Sequence, residues 1–256
     1  APLATVQAAV GIVGRRRSTA ALLDAVRFHV VPLVNVDGYH YSRRKSPSSA
    51  RNWCLNRRVS AGGHGTDLER NWGVEDVTWG FGKRGKEGRK DKHGFQGLSA
   101  FSEPEVRALR DYVEHYATGA GRVAVLHVRC CSGTVTPPMD PPGKPLRPPE
   151  SSVNVFEGAN RIINDMRNVV VGEASLYTVA RPPEAFGPDR TGLFVDWTRS
   201  VGADHSYVLE LKATSIATHT DRYEIERDPF TVLVRVLETA MVTTAQLLLA
   251  QPLDGQ

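Results

Sequence analysis

Residues 28–34, FHVVPLV, form an almost wholly apolar run. A strand with one wet face alternates apolar and polar residues, whereas a continuous run suits a central strand buried on both faces. A sheet of that kind needs helices on either side, and the rest of the chain has the spacing to supply them. Residues 4–13 and 18–26 repeat Ala, Val and Leu at helical intervals, with Ser18 or Thr19 able to cap the second helix. Ser102 and Glu105 have the spacing of a capping box, and Val106, Leu109, Val113 and Tyr116 follow on one helical face until Gly119 and Gly121. A second apolar run, RVAVLHV over residues 122–128, predicts another strand, ending near His127. Helical spacing returns over 153–170, Leu193–Asp196 and Ser206–Leu211 read as the last strands, and Asp228-Pro229 opens a long helix through Leu248. This alternation predicts a single α/β domain over residues 1–256. Its sheet should be mixed, mostly parallel and twisted, with helices on both faces.

At 256 residues and 41% hydrophobic composition the chain can fill one large core. It has no unbroken apolar run of eighteen residues, so no membrane span is expected. The opening APLATVQAAVGIVGRRR places its charges after the apolar part, opposite to a signal peptide, and a start at alanine suggests a processed or excised segment. The formal charge of +4 is too small for a dedicated nucleic-acid stripe. The basic cluster Lys83–Lys92, KRGKEGRKDK, reads as a solvated loop, since glycines and acids interrupt it and no aromatic residues are interleaved. Cys54, Cys130 and Cys131 are an odd count with an adjacent pair, which gives no disulfide framework and leaves both a secreted and a cytoplasmic setting open. A monomer is expected.

The most polar island is GTDLERNW, residues 65–72, with two acids, an arginine and an asparagine between glycine and tryptophan. Taken alone it reads as a solvated turn in which Asp67 and Glu69 neutralise Arg70. Upstream, the apolar run ends in Asn35-Val-Asp-Gly38, where Asp37 suits a turn that bonds its own backbone. Downstream lies GFQGLSAFSEPEVRALRDYV, residues 94–113. In this order the three segments resemble the zinc metallocarboxypeptidases of the pancreatic carboxypeptidase A/B family. The family patterns are approximately P-x-x-N-P-D-G-Y-x-Y-S, W-R-K-N-R, G-V-D-L-N-R-N-[FW] and Y-x-G-x-x-A-F-S-E-P-E, and the likeness covers most of residues 22–250.

The resemblance implies a carboxypeptidase-like α/β/α sandwich and a zinc-dependent hydrolysis of the C-terminal peptide bond of peptides or proteins; the charge pattern and the lack of a long apolar run argue against nucleic-acid and membrane partners. His127 in AVLHV then matches the family's third zinc ligand; a core histidine bonded to a backbone carbonyl is the alternative. Glu210 in SYVLELK matches the general base on zinc-bound water. Burying a glutamate among valine and leucines demands a cationic partner or the neutral form, and the alternative for it is an ion pair with Lys212. Arg70 matches the arginine that holds the substrate carboxylate, a task suited to a guanidinium that reaches both oxygens at once.

Several positions depart from the pattern. Glu69 stands where the family has a second, asparagine contact to the carboxylate, and its charge opposes that of Arg70. Trp53-Cys54-Leu55-Asn56-Arg57 replaces W-R-K-N-R, so the arginine that polarises the scissile carbonyl becomes Cys54 while Arg57 is kept. No tyrosine occurs in FGPDR, residues 186–190, where the family's substrate-capping tyrosine belongs. The family's H-x-x-E pair, which gives two zinc ligands, belongs just before a helix resembling APLATVQAAV, where this chain begins, so the resemblance implies a domain incomplete at its N-terminus, in which His127 alone would hold one zinc ion weakly. Val195, just before Asp196-Trp197, matches the position that is apolar in A-type enzymes, so apolar C-terminal residues should be preferred. Cys54, Glu69 and the missing tyrosine also support a second reading, a catalytically inactive carboxypeptidase-like domain that binds peptide tails or acts as a scaffold. The proline-dense stretch Pro137–Pro149 is expected to be an extended loop.

Overall fold

The computed structural model describes residues 2–43, 53–60, 63–74, 95–119, 122–138, 149–169, 177–181, 192–212 and 229–250. The basic cluster 83–92, the region 186–190, Asp228 and most of the proline-dense stretch lie outside the described residues.

Among the described residues four strands form the main sheet, in the order β3-β6-β4-β5. Strands β3 (Ala124–Cys131) and β6 (His205–Lys212) pair in parallel, with His127 opposite Val208 and Arg129 opposite Glu210. Strand β4 (Thr134–Thr136) runs antiparallel to β6 and parallel to β5 (Thr178–Val179), so the sheet is mixed. A separate two-stranded ribbon joins β1 (Val59–Ser60) to β2 (Gly63–His64).

Successive side chains of a strand point to opposite faces, which divides β3 and β6 cleanly. Leu126, Val128, Tyr207, Leu209 and Leu211 join the larger core, beneath helices α1 (Pro2–Gly14), α5 (Pro149–Val169) and the last helix, α7 (Pro229–Ala250). Val125 points the other way, into a cluster of Leu68, Trp72, Val106, Phe194 and Trp197 that lies under α4 (Pro104–Gly119) and α6 (Phe194–Ser200). Both faces are therefore covered, as the apolar runs require. The helices approach closely where a side chain is missing. A Cβ on Gly158 of α5 would sit 2.0 Å from the Tyr207 hydroxyl, and one on Gly11 of α1 would sit 1.8 Å from Oε1 of Glu238 on α7. Arg15 at the end of α1 pairs with that Glu238 carboxylate. Helix α7 is long and apolar enough to cross a membrane, which the absence of an unbroken apolar run concealed. Here Val236, Leu237 and Ala240 are buried in the core.

Several expected elements differ. Residues 28–34 form neither helix nor strand. Pro32 has no N–H to give to a ladder, and Val31 is exposed. Asn35–Gly38 is the start of a short helix, α3 (Val36–Ser42), and the cap is Asn35, whose side chain accepts from Gly38 N, so Asp37 sits in the first helical turn instead of bonding its own backbone. Ser18 and Thr19 fall inside α2 (Arg16–Ala25), where their hydroxyls donate to the Arg15 and Ile12 carbonyls instead of capping. The Ser102–Glu105 box is not formed: the Ser102 hydroxyl donates to Glu103, while Asn56 donates to Glu105. Residues 194–196 are helical, because Leu193 is extended and the chain then turns into α6. Strand β3 runs three residues beyond 128, which puts His127 in mid-strand with residues 129–131 still to follow.

His205 is buried, and its Nδ1 lies 2.9 Å from the Tyr207 hydroxyl. Burial lowers the imidazole from 6.5 to about 4, with Asp204 pulling upward and Arg199 downward. Burial likewise pushes the Tyr207 hydroxyl up. Between pH 6.5 and 4 the unfolded chain binds a proton at this site that the folded chain refuses. Stability from His205 is therefore complete above 6.5 and is lost as pH falls to 4, by up to about 3 kcal/mol. Urea unfolding at pH 7 and pH 4.5 should show this loss, and a His205→Phe variant should show less of it.

Candidate functional site

The polar face of the sheet carries His127 and Arg129 on β3 and Glu210 on β6, since residues two apart on a strand share a face. The GTDLERNW turn is laid against this face by buried polar groups. Gly65 has φ 86°, and a Cβ there would lie 2.5 Å from the Asn56 carbonyl oxygen, so only glycine fits the entry to the turn. The Asn56 side chain accepts from Thr66 N at 2.8 Å and donates to Glu103 at 2.7 Å. Asp67 caps a single 3₁₀ turn, Leu68–Arg70, by accepting from Glu69 N at 3.1 Å. Asn71, fully buried, donates to the carbonyls of Gln96 and Ser99 and accepts from Glu103 N, which ties the turn to the start of α4. Trp72 then packs its ring against Phe194 and Trp197 at 4.5 and 4.8 Å.

The turn is not the solvated one that its charges, taken alone, would allow: Asp67, Arg70 and Asn71 are all buried. Leu68 and Trp72 enter the core, which leaves Glu69 directed at the sheet. Its Oε2 lies 3.0 Å from His127 Nδ1, in ion-pair contact but without the alignment of a hydrogen bond. The His127 ring meets Phe194 edge-on at 5.5 Å.

Glu210 is buried, and both of its oxygens are engaged. Arg129 Nε contacts Oε1 at 3.0 Å, and the Ser132 hydroxyl donates to Oε2 and shares a 2.7 Å contact with Thr134. Its cationic partner is therefore Arg129 and not Lys212. Sequence reasoning missed Arg129 and Ser132 because it ended the strand at Val128. The signal was present: a buried acid needs a cation, and Arg129 falls on the face of His127 two residues on. Val195 is fully buried against Leu193 and Val208, and since Val208 is the register neighbour of His127, Val195 packs on the same face of the sheet as His127 and Glu210. Cys54 is exposed and forms no disulfide among the described residues.

Among the described residues no group of three His, Cys, Asp or Glu side chains is placed to hold a metal ion. A catalytic zinc needs three protein ligands and an open position. His127 has only Glu69 against its Nδ1, so the described residues do not by themselves make a zinc site.

The zinc carboxypeptidase family model matches residues 3–228. Human carboxypeptidase B is 27% identical over 218 residues, covering 82% of this chain and 46% of that protein. Human carboxypeptidase B2 is 36% identical over 105 residues, 40% of this chain and 22% of that protein. The chain thus spans less than half the length of these curated relatives. In structure, bovine thrombin-activatable fibrinolysis inhibitor, solved with tick carboxypeptidase inhibitor, superposes with a TM-score of 0.71 at 21% identity, over 97% of this chain and 77% of the other. Carboxypeptidase A from Helicoverpa armigera superposes with a TM-score of 0.64 at 21% identity, over 86% and 51%. These likenesses show the fold.

Proposed function

Because the chain belongs to the zinc carboxypeptidase family, we propose that it supplies the carboxylate-docking and proton-accepting residues of a peptidase acting on the C-terminal residue of peptides or proteins. The observation that carries this reading is the convergence of the GTDLERNW turn on the polar face of β3 and β6, where Glu69 meets His127. Arg70, in the same buried turn, docks the substrate carboxylate. Glu210, held in place by Arg129 and Ser132, accepts a proton from the attacking water. Zinc, which the family uses to activate that water, would have His127 as one ligand, but the described residues do not complete its site. Glu69 turns its charge toward His127, which lessens the repulsion a carboxylate beside Arg70 would exert on a peptide C-terminus.

Two contacts favour a second reading, a domain that binds peptide tails without turnover. Glu69 stands at the His127 nitrogen, and Arg129 stands at the Glu210 oxygen that a proton would take. Both readings share the preference for an apolar C-terminal residue, because Val195 lies among Leu193 and Val208 and offers a basic side chain no acid. Losing a charge-assisted contact disfavours a lysine terminus by roughly 1.5–3 kcal/mol. Competition between otherwise identical peptides ending in Phe and Lys tests this: Phe should bind about ten- to a hundredfold tighter, and a tighter Lys peptide would refute the assignment of Val195.

A further inference from the structure

A cavity of about 380 Å³ at the start of α4 is lined by Arg57, Arg58 and Arg107, together with Asp37 and Glu105. None of these residues takes part in the peptide site proposed above. The three guanidinium groups are fixed by different means. That of Arg57 lies 3.8 Å from the Tyr41 ring centre and 4.6 Å from that of Trp53, and these two rings meet edge-on at 5.1 Å. Arg58 and Arg107 both donate through Nη1 to one acceptor, the Ser102 carbonyl, at 2.8 and 2.7 Å. Two cations drawn to a single carbonyl oxygen repel one another, and the exposed Arg107 has donors left over. Arg58 also reaches Glu103 at 3.3 Å, but that carboxylate already accepts from Asn56 and Ser102.

The cavity has a complementary demand on its acidic side. Glu105 receives a long, 3.4 Å contact from Asn56 on Oε1, and its buried Oε2 has no hydrogen-bond partner. A buried carboxylate oxygen without a donor is costly, so the site calls for a ligand that brings an O–H to Glu105 as well as anionic oxygens to the arginines. Inorganic phosphate meets both needs, because near neutral pH it keeps at least one O–H while carrying negative charge, whereas a phosphomonoester is then largely a dianion without one. Sulfate has the same shape and charge but no proton to give. We propose that this cavity binds phosphate, with Arg57, Arg58 and Arg107 accepting the anion and Glu105 reading its hydroxyl.

Calorimetric titration of the whole protein with inorganic phosphate, sulfate and O-phosphoserine, at matched ionic strength, tests the assignment. Phosphate should bind saturably and about tenfold tighter than sulfate, the worth of one hydrogen bond to a charged group. Arg107→Gln, on an exposed helical surface, should weaken both anions by about tenfold, and Glu105→Gln should erase the preference for phosphate. If Arg107→Gln does not fold, as judged by circular dichroism, Arg58→Gln is the replacement. O-phosphoserine, largely a dianion without an O–H near neutral pH, should bind no tighter than sulfate, and binding as tight as inorganic phosphate would overturn the role given to Glu105. Absence of saturable phosphate binding, equal affinity for sulfate, or an unchanged affinity in the arginine variants would overturn the proposal.

Discussion

Glu210→Gln in the full-length protein should lower turnover of a Phe-terminated peptide by roughly 10²–10⁴-fold, while leaving the affinity for that peptide nearly unchanged. Glutamine keeps the shape of the side chain and an oxygen for the Ser132 hydroxyl to donate to. What it removes is the acceptor of the proton. Arg129 would lose its ionic partner in a largely buried pair, its side chain 23% exposed, so stability should also fall, by up to about 3–5 kcal/mol, and the rates are compared on folded protein. Steady-state rates and calorimetric binding of the two proteins separate the effects. Unchanged turnover would remove Glu210 from the chemistry and leave the Arg129–Glu210 pair as a structural link between β3 and β6. Complete absence of turnover in the parent protein would favour the binding domain.

Trp72→Ala should destabilise the fold by about 3–5 kcal/mol, the usual cost of truncating a buried indole. Trp72 is 3% exposed and is the common neighbour of Phe101, Phe194 and Trp197, so its loss opens a cavity among three other aromatic rings. The consequence reaches the site, because Trp72 adjoins Asn71 and closes the turn that carries Glu69 and Arg70. Urea denaturation gives the stability, and the peptide affinity of the folded variant should also fall. A loss below about 1 kcal/mol would mean that the turn is held by Asn56 and Asn71 alone.

The strands and helices that proved legible were those whose burial follows from their own residues. Strand β6, buried through seven of its eight positions, and helix α7 needed no partner to be recognised as core. Residues 28–34 were as apolar but joined no ladder, since hydrophobicity demands burial and does not supply hydrogen-bond partners. Residues 194–196 failed for a related reason: a short apolar stretch fits a strand or a buried helix equally, and Leu193 with its extended backbone decided for the helix. His127, Glu69 and Arg70 were singled out through their motifs, but the Glu69–His127 contact depends on how a 3₁₀ turn presents one side chain to a sheet. The Arg129–Glu210 pair depends on the register of β3 against β6, which joins residues 81 positions apart. Neither kind of fact is written in local sequence.

The claim common to both functional readings is that Arg70 docks a peptide's terminal carboxylate, and the most direct measurement compares one Phe-terminated peptide as the free acid and as the C-terminal amide. Calorimetry should find the acid bound at least about tenfold tighter by the parent protein, because the amide cannot satisfy a bidentate guanidinium. In Arg70→Gln, with folding checked by circular dichroism, the acid should bind no better than the amide. Equal affinities in the parent protein, or an acid preference that survives in Arg70→Gln, would contradict the assignment.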